Sequence, residues 1–108
     1  GLGGDPAPIA HYNEDDSAWG AGELSFVELD GTLYCYYTWT CPDGNYTMVS
    51  TADATNENWP STMKYHGMAY KKQADQDSCD VVYVEDYGKF LAFSTYNRFT
   101  PNSGIAIF

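Results

Sequence analysis

The side chains of greatest chemical interest in this sequence are aromatic rings close to charged groups. Trp19, Trp39, Tyr96 and Arg98 stand just before or just after segments that read as strands. Rings of this kind, joined by carboxylates and an arginine, hold a polar sugar by stacking on its face and hydrogen bonding its hydroxyls. The alternative for Trp39 and Tyr96 is packing between neighbouring sheets. Asp80 opens a strand, where an aspartate also has the option of capping local backbone N–H groups. Trp59, in Asn58-Trp59-Pro60, reads as an anchor for a connector.

Other reactive residue types carry weaker signals. Cys35, Cys41 and Cys79 are the three cysteines, an odd number that forms neither a disulfide framework nor a zinc signature. A Cys41–Cys79 staple is one option, and Cys35, mid-strand, reads as a small buried hydrophobe. His11 and His66 lack metal-ligand spacing and read as surface or packing residues. The acidic run at residues 13–16 lacks the spaced ligands and glycine of a calcium loop, so Ca²⁺ has no support and no cofactor is expected. Asn45-Tyr46-Thr47 fits an N-glycosylation sequon. No phosphate loop, nucleophile elbow or Cys/His catalytic pattern is present.

The composition sets outer bounds. A chain of 108 residues suits one domain, burying roughly two-thirds of the surface its unfolded state exposes. Net charge is −10 with only five Lys and Arg, which excludes the basic footprint that nucleic acid or an anionic membrane needs. No apolar run approaches the roughly 20 residues of a membrane span. Aromatics make up 17% of the chain, ten of them tyrosine, and such residues favour strands. This Tyr-rich, Lys-poor balance points to a secreted, extracellular protein. The opening Gly1-Leu2-Gly3-Gly4 is not a basic and apolar leader, and reads as a processed end, an expression scar or a cut through a longer gene.

The elements that must position these side chains form an internal repeat. Residues 23–39, ELSFVELDGTLYCYYTW, contain a strand, an Asp30-Gly31 turn and a second strand rich in β-branched and aromatic residues. Asp-Gly between two such runs is a strong hairpin signal. Residues 79–96, CDVVYVEDYGKFLAFSTY, repeat the plan, with a turn at 85–88. Ser25 aligns with Asp80, Leu33 with Phe90, Tyr36 with Phe93 and Thr38 with Thr95, allowing about two inserted residues at the second turn. The period is roughly 55 residues, as in blade-like repeats. A Pro-Asp-Gly turn then leads to a third strand at 46–51, and Pro101–Gly104 leads to another at 105–108. A polar connector with one helical turn is expected over 52–59, and an outer fourth strand over 64–71. The sequence thus predicts an all-β chain of two antiparallel propeller-type blades, residues 18–71 and 72–108, after an irregular segment at 1–17.

The repeat resembles the five-bladed β-propeller glycosidases of the arabinanase and β-xylosidase type, glycoside hydrolase family 43. The likeness rests on Trp19–Val27, Asp30-Gly31 and Leu33–Thr38, then on Asp77–Val81, Tyr87–Phe90 and Thr95–Phe99, and so spans about residues 18–108. It implies that starts of inner strands face a central pocket where carboxylates act as acid and base, about 5–10 Å apart. On that basis Glu23 is the proton-donor candidate, with Asp77 or Asp80 as its partner. The order departs from the family pattern, because here the glutamate precedes the aspartates. Two blades also cannot supply a closed pocket, so the resemblance implies self-association or further chain. Carbohydrate recognition through Trp19, Trp39, Tyr96 and Arg98, of plant-type polysaccharide or oligosaccharide, is the leading expectation. Glycoside hydrolysis by Glu23 with Asp77 or Asp80 is the second, and a structural or assembly module the third. A homo-oligomer is the expected state, without nucleic-acid or membrane partners.

Overall fold

The computed structural model describes residues 21–41, 44–70 and 76–108, with Cys41 and Gln76 described by their backbone alone. These residues are all-β and form two antiparallel sheets that do not close into a barrel. Strands β1 (Ala21–Leu29), β2 (Thr32–Cys41), β3 (Gly44–Asp53) and β4 (Lys64–Met68) pair in that order. Strands β5 (Gln76–Val84), β6 (Lys89–Tyr96) and β7 (Gly104–Ile107) form the second sheet. Each sheet is a meander, the topology that short turns between antiparallel strands produce.

The turns follow from local chemistry. Leu29 pairs with Thr32 across Asp30-Gly31, whose φ angles of 50° and 82° are both left-handed. Such a pair matches the right-handed twist of the flanking strands. The Gly31 N–H also donates to Glu28 Oε1 at 2.9 Å. In the second sheet a 3₁₀ turn, Glu85–Tyr87, ends at left-handed Gly88 and accounts for the longer connection. The connector's helical turn falls later than expected, at Trp59–Thr62, because β3 continues to Asp53. Pro60 fixes the start of that turn, and the Ser61 and Thr62 hydroxyls donate to the carbonyls of Asn58 and Trp59. The expected outer strand is β4, which pairs with β3 and ends at Met68.

Strand register carries the repeat into three dimensions. Ser25 faces Tyr36 across β1–β2, and Asp80 faces Phe93 across β5–β6. Both first strands break register at the same place, between Gly22 and Ser25 and between Asp77 and Asp80. Each break is a β-bulge, two residues opposing one. Glu23 and Ser78 lie at matching positions in these bulges with φ of 57° and 53°. Left-handed backbone is uncommon outside glycine, and here two non-glycine residues hold it at one point of the repeat.

The core lies between the sheets. Val27, Tyr36, Cys79, Val81 and Ala92 are buried there, with Tyr34, Val49, Tyr83, Phe90 and Phe108 packed around them. Tyr34 and Tyr83 meet the Phe90 ring at centroid distances of 4.9 and 5.3 Å, and Tyr70 stacks on Phe108 at 4.2 Å. Full burial of one such side chain contributes about 1.5–3 kcal/mol. A smaller cluster, Cys35, Tyr37 and Met48 with Trp39, Tyr46 and Met63, occupies the opposite face of the first sheet. This division follows from the two-residue period of β2, which sends alternate side chains to opposite faces.

Candidate functional site

The bulges bring polar side chains of both repeats together at one end of the inter-sheet contact. The Ser78 N–H donates to Glu23 Oε2 at 2.5 Å, and the Thr38 hydroxyl donates to the same oxygen at 3.2 Å. Thr38 is fully buried, so Glu23 satisfies a hydroxyl that water cannot reach. Ser25 forms a second tie, its hydroxyl donating to Asp80 Oδ1 at 3.2 Å and accepting from the Val81 N–H at 3.0 Å. Arg98 closes the rim. Its Nε and Nη2 donate to Asp77 Oδ1 at 3.0 and 2.7 Å, and Nη2 also donates to Ser78 Oγ at 2.5 Å. Asp77 raises the already high pKa of Arg98, through this hydrogen bond and its charge, and holds the guanidinium cationic.

Glu23, Asp77 and Arg98 therefore belong to one hydrogen-bonded group through Ser78, while Asp80 belongs to the separate tie made by Ser25. Trp39 is part of neither. It alternates with Thr38, lies on the opposite face of the first sheet and packs beside Tyr37 at 6.4 Å. Tyr96 follows Ala92 and Ser94 on the face of β6 towards the first sheet, and its ring lies against Gly104. Trp19, His11 and the acidic run at 13–16 lie outside the described residues. His66 is exposed and bonded through Nε2 to the Thr51 hydroxyl at 2.6 Å. Among the described residues no three His, Cys, Asp or Glu side chains gather into a metal-holding group.

The Cys41–Cys79 bridge is not formed, since Cys79 is a free thiol in the core. Burial pushes both the Cys79 and Cys35 thiols up to about 11, which keeps them protonated and unreactive at neutral pH. The Cys41 side chain lies outside the described residues. Of the sequon, Thr47 is buried, and its hydroxyl is hydrogen bonded to the Tyr70 hydroxyl at 2.7 Å. Tyr70 in turn bonds Ser94 at 2.6 Å, a polar bridge across the two sheets. No described helix is long and apolar enough to cross a membrane.

Sequence reasoning missed the role of Ser25, Thr38 and Ser78, although the alignment of Ser25 with Asp80 was the signal that could have found it. A cleft of about 410 Å³, lined by Thr32, Tyr34, Tyr36, Thr51 and His66 among others, was also not foreseen. It lies on the first sheet's inner face, and its Tyr36 is the register partner of Ser25. Compared with protein-family models, with curated proteins and with solved structures, the chain matches none of them. Fold and site thus define an all-β protein of two repeated antiparallel sheets joined at a polar, bulged rim.

Proposed function

We propose that the two sheets are successive propeller-type blades, and that their bulged rim recognises carbohydrate of plant polysaccharide or oligosaccharide type. The observation that carries this reading is the Arg98–Asp77 pair beside Ser78 and Glu23, a fixed set of donors and acceptors at the surface. Sugar hydroxyls are bound by such preset charged groups, and each carboxylate has about four lone-pair sites, of which Glu23 uses two in its bonds to Ser78 and Thr38. Tyr96 supplies a ring for stacking on the same side as the cluster.

Binding is favoured over hydrolysis by the same bonds. A proton donor in glycoside hydrolysis needs a protonated carboxyl free to reach the leaving oxygen. Glu23 instead has its Oε2 occupied by the Ser78 N–H and the Thr38 hydroxyl, which hold the carboxyl against the neighbouring sheet.

The test is a glycan array followed by calorimetry with arabino- and xylo-oligosaccharides. Binding that is lost in Arg98→Ala and Tyr96→Ala but retained in His66→Ala supports the rim as the site. A folded protein that binds no glycan, or one whose binding survives Arg98→Ala and disappears in His66→Ala, overturns it.

A further inference from the structure

The repeat equivalence that builds the rim also relates the two outer faces of the molecule. In the first sheet, Val27, Tyr34, Tyr36 and Val49 form the surface that packs on the second sheet. Their register partners place Val82, Leu91, Phe93 and Ile107 at the same positions in the second sheet. Those four lie on the face turned away from the first sheet, because Val81, Ala92 and Phe108 alternate with them and point inward. Val27 and Tyr36 are buried, whereas Val82, Phe93 and Ile107 are exposed, together with Ile105. The second sheet thus carries an outer surface of the type the first sheet buries, with no sheet on it among the described residues.

The complementary surface exists as well. Cys79 and Val81 form part of the face by which the second sheet receives the first. Their counterparts one repeat earlier are Leu24 and Phe26, which are exposed on the far side of the first sheet beside Tyr65 and Met68. Each end of the molecule therefore presents one half of an interface whose assembled form is already visible in its middle.

We infer that a second copy of this chain docks head to tail, its far face around Leu24, Phe26 and Tyr65 covering Val82, Phe93, Ile105 and Ile107. The occupant follows from the repeat, since the surface that fits the second sheet's outer face is the first sheet's own outer face. The contact is heterologous, two different patches meeting, and it generates a closed ring or an open stack according to the rotation between successive sheets. The exposed apolar side chains at the two ends are what such a contact removes from water. On the first sheet's far face Cys35, Tyr37 and Met48 are already buried, and Phe26 meets the Trp59 ring at its edge. In a ring, the rims of successive sheets would face a shared centre.

Sedimentation analysis with two face-blocked variants tests this directly. Tyr65 and Ile105 are 63% and 74% exposed, so Tyr65→Lys and Ile105→Lys change surface charge without entering the core. Phe26→Lys and Ile107→Lys provide a second pair should either of the first lower stability, and far-UV circular dichroism checks that each variant folds. The unmodified protein is expected to associate as concentration rises, each variant alone to stay monomeric, and an equimolar mixture of the two to form a heterodimer. The mixture keeps one intact patch on each partner, an outcome that a self-complementary contact does not give. A folded, unmodified protein that is monomeric at every concentration overturns the inference. So does self-association of a singly blocked variant, or a mixture that remains monomeric.

Discussion

The Glu23 carboxylate accepts the backbone N–H of Ser78, a residue 55 positions later that occupies the same place in the second repeat. Both residues sit in β-bulges with left-handed backbone. The bulge re-aims the carboxylate towards the neighbouring sheet and leaves the Ser78 N–H outside its own ladder, available to be met. One irregularity, used twice, makes the joint between the sheets.

Removing that carboxylate leaves the buried Thr38 hydroxyl without its acceptor and the Ser78 N–H with only its 3.2 Å bond to Thr38 Oγ1. Glu23→Ala is expected to lower unfolding free energy by about 1–3 kcal/mol, as for other orphaned buried donors. Ser78→Gly keeps the N–H and relieves the left-handed strain, while adding backbone entropy and removing the hydroxyl that accepts from Arg98, so its net effect stays within about 1 kcal/mol. Urea titrations of the two variants check the contrast. Equal losses in both would mean that the tie between Glu23 and the Ser78 backbone contributes nothing measurable.

Ser25 makes its two bonds from a buried position, to Asp80 and from Val81. Ser25→Ala should destabilise by about 1–3 kcal/mol, because the Val81 N–H is stranded in the sheet contact. A double-mutant cycle with Asp80→Ala should show coupling of about 0.5–3 kcal/mol, as for other residues in direct contact. Additive effects would argue that Asp80 acts independently of the joint.

Gly104 faces the Tyr96 ring so closely that an added Cβ would lie 2.6 Å from the tyrosine oxygen and 2.7 Å from its ring carbon Cζ. Gly104→Ala must therefore displace the ring, at a cost of about 1–3 kcal/mol for an overpacked site. Near-ultraviolet circular dichroism should change, and glycan binding should weaken with the ring moved. Unchanged spectra and affinity would show that Tyr96 does not need this position.

Alkaline pH should expose the buried thiols. Cys35 and Cys79 have pKa values raised to about 11 by burial, from 9.0 for an exposed thiol. A raised folded-state value means the unfolded chain loses its protons first. The stability from burying the neutral thiols is therefore complete below pH 9 and declines as pH climbs towards 11. Tyr36, Tyr37 and Tyr70 shift in the same direction, again chiefly through burial, and add to the decline. Denaturation midpoints in a Cys41→Ser background should hold steady near neutrality and drop across that window. Both remaining thiols should resist a disulfide reagent until the protein unfolds.

The sequence by itself determined the strands, the Asp30-Gly31 hairpin and the repeat, because each is written in short-range patterns. Alternation, turn residues and β-branched or aromatic runs act over a few neighbours. It also put Glu23, Asp77 and Asp80 on one face with Trp19, Trp39, Tyr96 and Arg98, since equivalent strand ends of a repeat fall together, although Trp39 turned out to face the other way. Only the tertiary structure decided what those groups touch. The left-handed bulges at Glu23 and Ser78, the burial of Thr38, and the turning of Trp39 to the other face depend on register and on the neighbouring sheet. Such contacts join residues 55 apart, and no local pattern specifies them. Pairing across the sheets, not residue type, set the Glu23 carboxylate against the Ser78 backbone.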